Sequence, residues 1–197
     1  MESVTIQGGA PPRPLSQELL SDIAFYAQEL GAPLEVLAER FRGTEEFVPF
    51  AEDLEADPSY VVHGLLEDGN MWIRFTDRPE DDLLKRLETE LSIQIDVQWG
   101  APLNGPSLVA ISETMFRAVV DFPGVVQVGS GLSSDQSGDV IQIRYRLAPD
   151  TTVDVELLQQ QALRAGAAAS PSGAIPVAVD FAEDPELDAQ LQWEETY

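Results

Sequence analysis

His63 is the only histidine in the chain, and there is no cysteine. Those two facts remove most nucleophilic and metal chemistry at once. One imidazole cannot build a multi-histidine metal site, and without thiols there is no disulfide, thiolate zinc centre or cysteine nucleophile. A Ser-His-Asp arrangement would need a nucleophile on a strained turn, and no Gly-x-Ser-x-Gly stretch supplies one. His63 lies mid-strand with Val61 and Leu65, which suits a packed or edge-exposed imidazole. Carboxylates are so numerous that neighbours such as Glu45-Glu46 and Asp81-Asp82 carry no signal; acid/base pairs need environments that push their pKa values apart. Asp135 to Asp139 lacks the distal Glu of a calcium loop, and Gly129-Ser-Gly131 lacks the later Gly and Lys of a phosphate loop. Trp72 and Trp99 remain, either as a second core layer or as an exposed binding patch. No catalytic residue, cofactor or metal ligand is assigned, and the chain reads as a non-enzyme.

The elements that carry these residues are clearer than the chemistry. Tyr60 to Leu66, an Asp68-Gly69 turn and Met71 to Phe75 spell a hairpin. Asp77-Arg-Pro-Glu80 has the form of a helix start, and Leu83, Leu84, Leu87 and Leu91 follow at helical spacing. Ile93, Ile95 and Val97 then alternate with polar residues as a half-buried strand. The same order recurs later. Val125 to Leu132 and Ile141 to Leu147 read as strands, Val155, Leu158, Ala162 and Ala165 as a helical stripe, and Ile175, Val177 and Val179 as an edge strand limited by Pro176. A helix precedes each copy. The expected fold is α+β, an N-terminal helix pair followed by two ββαβ units with small, mostly antiparallel sheets. Duplication and chance recurrence of a common unit both remain open.

The expected organisation is a flexible leader over 1–15 with a short extended piece from Val4 to Ile6, a first unit over 16–99, a hinge over 100–106, a second unit over 107–180 and an acidic tail over 181–197. Ser16 and Gly31 bound the first helix. Pro33 opens the second, which Gly43 weakens and which Pro49 should kink or break. Ala165 to Ala174 reads as a flexible stretch. In the tail, Leu187, Leu191 and Trp193 are apolar anchors among acids, the pattern of a docking peptide.

Net charge is −24, from 11 basic and 35 acidic residues. Binding to nucleic acid needs clustered cations, and none cluster here; an anionic membrane surface would repel the chain for the same reason. The start carries no basic segment followed by an apolar run, so a complete chain is expected in the cytoplasm and a fragment of a secreted precursor outside it. Oligomeric state is not legible.

Three pieces together carry a family resemblance. They are AFYAQELGAPLEVLAER from Ala24 to Arg40, the stretch from Phe47 to Tyr60, and Met71-Trp-Ile-Arg-Phe-Thr76 before a Pro-led helix. The chain thereby resembles the pro-regions of alpha-lytic, or streptogrisin-like, S1-family serine proteases and related actinobacterial proteins, from about Leu19 to about Asp180 and without the protease domain. The resemblance implies a non-catalytic module that inhibits a serine protease or assists its folding in trans. It also implies a mechanism, in which a sheet edge pairs with the partner and a C-terminal tail inserts. The partner-binding residues would be Ile175, Val177 and Val179 on the edge and Leu187, Leu191 and Trp193 on the tail. The alternative is a stand-alone acidic protein- or ligand-binding scaffold unrelated to proteolysis, and an enzyme with a carboxylate-based site ranks last.

Overall fold

A computed structural model describes residues 1–136 and 138–187 and divides the chain into two compact units, 1–101 and 102–197. Both are mixed helix and sheet, so the fold is α+β. Of the five strand pairs among the described residues, three are antiparallel and two parallel.

In the first unit β1 (Glu2–Gln7) comes first, then α1 (Gln17–Leu30) and α2 (Leu34–Glu55). A hairpin of β2 (Tyr60–Leu65) and β3 (Met71–Phe75) follows, then α3 (Asp81–Glu90) and β4 (Gln94–Trp99). The sheet order is β1-β4-β3-β2. β3 and β4 are parallel because α3 carries the chain back to the same end of the sheet. The leader's extended piece is longer than the expected Val4 to Ile6: β1 pairs antiparallel with β4 from Glu2↔Trp99 to Gln7↔Gln94. Beyond it, Gly8, Gly9 and Ala10 donate main-chain bonds to the carbonyls of Ile93, Glu88 and Leu91.

Ser16 caps α1 by accepting from the Leu19 N–H, and Gly31 closes it in the left-handed region at φ 63°. α2 runs unbroken through Gly43 and Pro49. Pro49 is exposed, and Phe47, Phe50 and Leu54 on the same helix are buried, so one missing main-chain bond is outweighed by core contacts. α3 starts four residues after Asp77, at Asp81. The Thr76 N–H is still given to the Ser59 carbonyl, and the residue before Pro79 disfavours helical geometry. One core joins Phe47, Phe50 and Leu54 of α2, Leu87 of α3 and the following Leu91 to Met71, Ile73, Phe75, Ile95 and Val97 of the sheet. Each such side chain, fully buried, stabilises by about 1.5–3 kcal/mol.

Gly43 is not a weak point of α2 but a seat. A Cβ there would stand 2.7 Å from the Gly69 carbonyl oxygen and from Ile93 Cδ1. Gly69, at φ +83° in the hairpin turn, approaches the Glu39 carbonyl in return. Two glycines face to face thus let the β2–β3 turn rest on the helix.

The second unit holds α4 (Gly105–Val120), β5 (Val125–Asp135), β6 (Gly138–Leu147), α5 (Val155–Ala169) and β7 (Ala178–Glu183). Its sheet order is β5-β6-β7, with β6 and β7 parallel across α5. β2-β3-α3-β4 and β5-β6-α5-β7 therefore share element order, strand order and strand directions, and each follows a helix. Asn104 caps α4, accepting from the Ser107 N–H. Asp154 caps α5 by accepting from the Leu157 N–H. α5 continues to Ala169, through much of the stretch expected to be flexible, because Gly166 is buried against Met115 of α4 and Ile175.

Ala substitution in a helix interior ordinarily gains up to about 1 kcal/mol over Gly. Gly43→Ala should instead lose about 1–3 kcal/mol, because the hairpin turn must back away from the new methyl. Denaturant unfolding of the variant checks this; a gain in midpoint would mean that the turn does not rest on α2.

Candidate functional site

Chemistry at His63 can be judged from its neighbours. Its Nδ1 lies 2.6 Å from the Tyr60 hydroxyl, and its ring centroid is 4.8 Å from that of Phe47. Burial lowers its pKa from 6.5, opposed by the charge of Glu55. Burial, and secondarily Glu55, pushes the Tyr60 hydroxyl up to about 12. A neutral imidazole hydrogen-bonded to a tyrosine and tilted against a phenylalanine is a packed histidine.

Of the carboxylates singled out by adjacency, Asp81 and Asp82 are exposed in the first turn of α3, where Asp81 pairs with Arg78 at 2.7 Å. Glu45 and Glu46 are structural. Glu46, only 4 % exposed, accepts from the Arg13 N–H at 3.1 Å, the Ser92 N–H at 2.8 Å and the Ser92 hydroxyl at 2.7 Å. Glu45 accepts from the Ser16 N–H at 2.9 Å. Together they hold the segment before α1 and the turn before β4 onto α2. Burial alone would raise the Glu46 pKa, but the bonds from Arg13 and Ser92 and the charge of Arg13 outweigh it, and the carboxyl sits below 4.5. Among the described residues no group of three His, Asp or Glu is placed to hold a metal ion. Among the described residues no helix is long and apolar enough to cross a membrane.

Trp72 and Trp99 do not form an exposed patch. Trp72 is buried with the Arg74 guanidinium 4.9 Å above its ring, and Arg74 donates to Gln98 Oε1. Trp99 Nε1 donates to Glu2 across the β1–β4 pair at 3.0 Å.

The geometry that remains is the margin of the second sheet. The expected edge strand over Ile175 to Val179 is displaced: β7 begins three residues later, at Ala178, and extends to Glu183 into the expected tail. Ile175 and Val177 precede it, and Ile175 packs toward α5 at Gly166. Val179 lies in β7, opposite Ile141. Phe181, which the sequence reading passed over, lies opposite Ile143. Arg144 fixes the strand by donating to the Asp180 carboxylate at 2.7 Å and to its carbonyl at 3.3 Å. The Asp184 N–H is given to the Tyr145 carbonyl. By strand alternation Ala178, Asp180 and Ala182 turn their main-chain groups the same way, toward β6, and Val179, Phe181 and Glu183 turn theirs to the other side. Among the described residues no strand pairs there. After β7 the chain turns through Asp184–Leu187, and Leu187 lies by Gly129 on β5. Leu191 and Trp193 lie outside the described residues.

No family model, curated protein or solved structure matches the chain.

Acid should find half-buried His63 and buried Glu46 in turn. Above pH 6.5 His63 is neutral folded and unfolded; below it the unfolded chain takes the proton first, so stability falls toward the depressed folded value. Glu46 adds a second loss as pH drops through 4.5, where the unfolded carboxyl protonates first. In denaturation midpoints recorded against pH, His63→Gln should flatten the first slope. Glu46→Gln should cost about 1–3 kcal/mol at pH 7, the cost of buried donors left poorly paired, and flatten the second. A wild-type curve level through both windows would contradict these assignments.

Proposed function

We propose that this protein is a non-catalytic binding module that takes an extended strand of a protein partner along the free side of β7. The partner is an S1-type serine protease met in trans, which the module inhibits or helps to fold. One observation carries the strand-receiving part: the first unit already contains the complex in miniature. There, β4 occupies the position that β7 occupies in the second unit, and β1 lies antiparallel on its far side over six residue pairs. The same ββαβ arrangement therefore accepts a fourth strand at this margin, and the second unit offers the margin without one among its described residues. Resemblance to the streptogrisin-type pro-regions supports the choice of partner.

Main-chain pairing would come from Val179, Phe181 and Glu183, at about 0.5–1.5 kcal/mol net per bond. That gives a few kcal/mol, so side chains beside Val179 and Phe181, and Leu187 beyond the strand, must add to it.

The test mixes the folded chain with a streptogrisin-type protease and records inhibition and complex formation. Glu183→Pro removes one outward N–H at an exposed position, where an edge strand tolerates proline. The expected result is inhibition by the intact chain, weakened about tenfold by Glu183→Pro, the loss of roughly one well-formed bond. No complex at micromolar concentration would remove this protease class and leave the acidic scaffold in front. A complex indifferent to Glu183→Pro would remove the strand edge.

A further inference from the structure

α1 buries Ile23 and Ala27 against Leu37 of α2, which accounts for one side of the helix. Its other side is unusual in what it leaves in water. Phe25 is 60 % exposed, Tyr26 53 % and Leu30 69 %. The two rings meet edge to face, with centroids 6.2 Å apart. Glu18, Asp22, Phe25 and Glu29 stand at i, i+4, i+7 and i+11, a single line along the helix, and Tyr26 and Leu30 flank it at i, i+4. All six are exposed.

The charge on this face is of one sign. α1 contains no Lys or Arg, and its last turn pairs Glu29 with the negative end of the helix dipole. That arrangement is unfavourable as it stands and is relieved by a cation from outside. Aromatic faces beside carboxylates are the surroundings in which a guanidinium or ammonium group gains both ring and ion-pair contacts. A second copy of the chain, at net charge −24, brings the wrong sign to this face, as do nucleic acid and an anionic membrane.

We infer that the exposed face of α1 is a docking surface for an Arg- or Lys-bearing amphipathic segment of another protein. Its cations would lie over Phe25 and Tyr26 between Asp22 and Glu29, and its apolar residues would cover Leu30. The surface belongs to the first unit and does not depend on the β7 edge.

The probe is a fluorescein-labelled amphipathic helical peptide of Leu, Ala and Arg, titrated with the full chain and followed by anisotropy. The same peptide with Glu in place of Arg is the control. The double variant Phe25→Ser/Tyr26→Ser keeps the net charge, so it separates this surface from general attraction to an acidic protein. Because both side chains are exposed, its circular dichroism and denaturation midpoint should match those of the parent. The arginine peptide should bind the parent, about tenfold more weakly after the aromatic substitutions. Asp22→Asn/Glu29→Gln should weaken binding and reduce its salt dependence. The proposal is overturned if the intact chain does not bind the arginine peptide, if the glutamate peptide binds equally well, or if binding survives loss of both rings unchanged.

Discussion

A strand at the margin of a sheet has hydrogen-bonding groups along one side that must find partners, and this requirement organises both units. A hairpin followed by a crossover helix places its third strand parallel to the second and leaves that third strand at the border. In the first unit β1 fills the border of β4, and the chain's first residues are ordered by that pairing. In the second unit the border of β7 has no strand beside it among the described residues. Long unpaired edges invite association, and proteins that keep them cover, charge or use them. β7 carries Asp180 and Glu183, which discourages indiscriminate pairing, and the functional reading follows from asking what a kept edge is for.

Around this constraint the packing is economical. α2 serves the first unit three times: Leu37 meets α1, the Gly43 surface seats the hairpin turn, and Phe47, Phe50 and Leu54 fill the core under the sheet. Glu45 and Glu46, on the same helix, tie down the segment that follows β1 and the turn that precedes β4. The helix thereby fixes the Gln7–Gln94 end of the β1–β4 pair. A buried carboxylate is acceptable here because donors from two distant segments converge on it.

The elements legible in the sequence were those whose signal is local. The Asp68-Gly69 hairpin, the alternation from Gln94 to Gln98, the Ser16 and Gly31 caps and the α-ββ-α-β order all follow from residues within a few positions of one another. What was lost depended on distant partners. Of β1 only the piece from Val4 to Ile6 was legible, because the strand has one half-buried residue, Ile6, and its full length and its partner β4 have no local signal. Gly43 reads as a helix weakener until Gly69 is seen against it. Glu46 looks like any acid until Arg13 and Ser92 are brought to it. Ile175 and Val177 share the odd-numbered phase of Val179 and Phe181, so the pattern extends backward past the true start of β7; Ile175 owes its apolar character to Gly166 instead. An edge strand late in the chain was thus legible in kind, and it is displaced in register.

The most direct measurement is residue-by-residue amide hydrogen exchange across β7 in the free protein. If the far side of β7 is an open, strand-receiving edge, the amides of Ala178, Asp180, Ala182 and Asp184 are protected by β6, and those of Val179, Phe181 and Glu183 exchange close to the unprotected rate. Equal protection of both sets would mean that the edge is already covered within the molecule, and the account of β7 as a docking strand would fail.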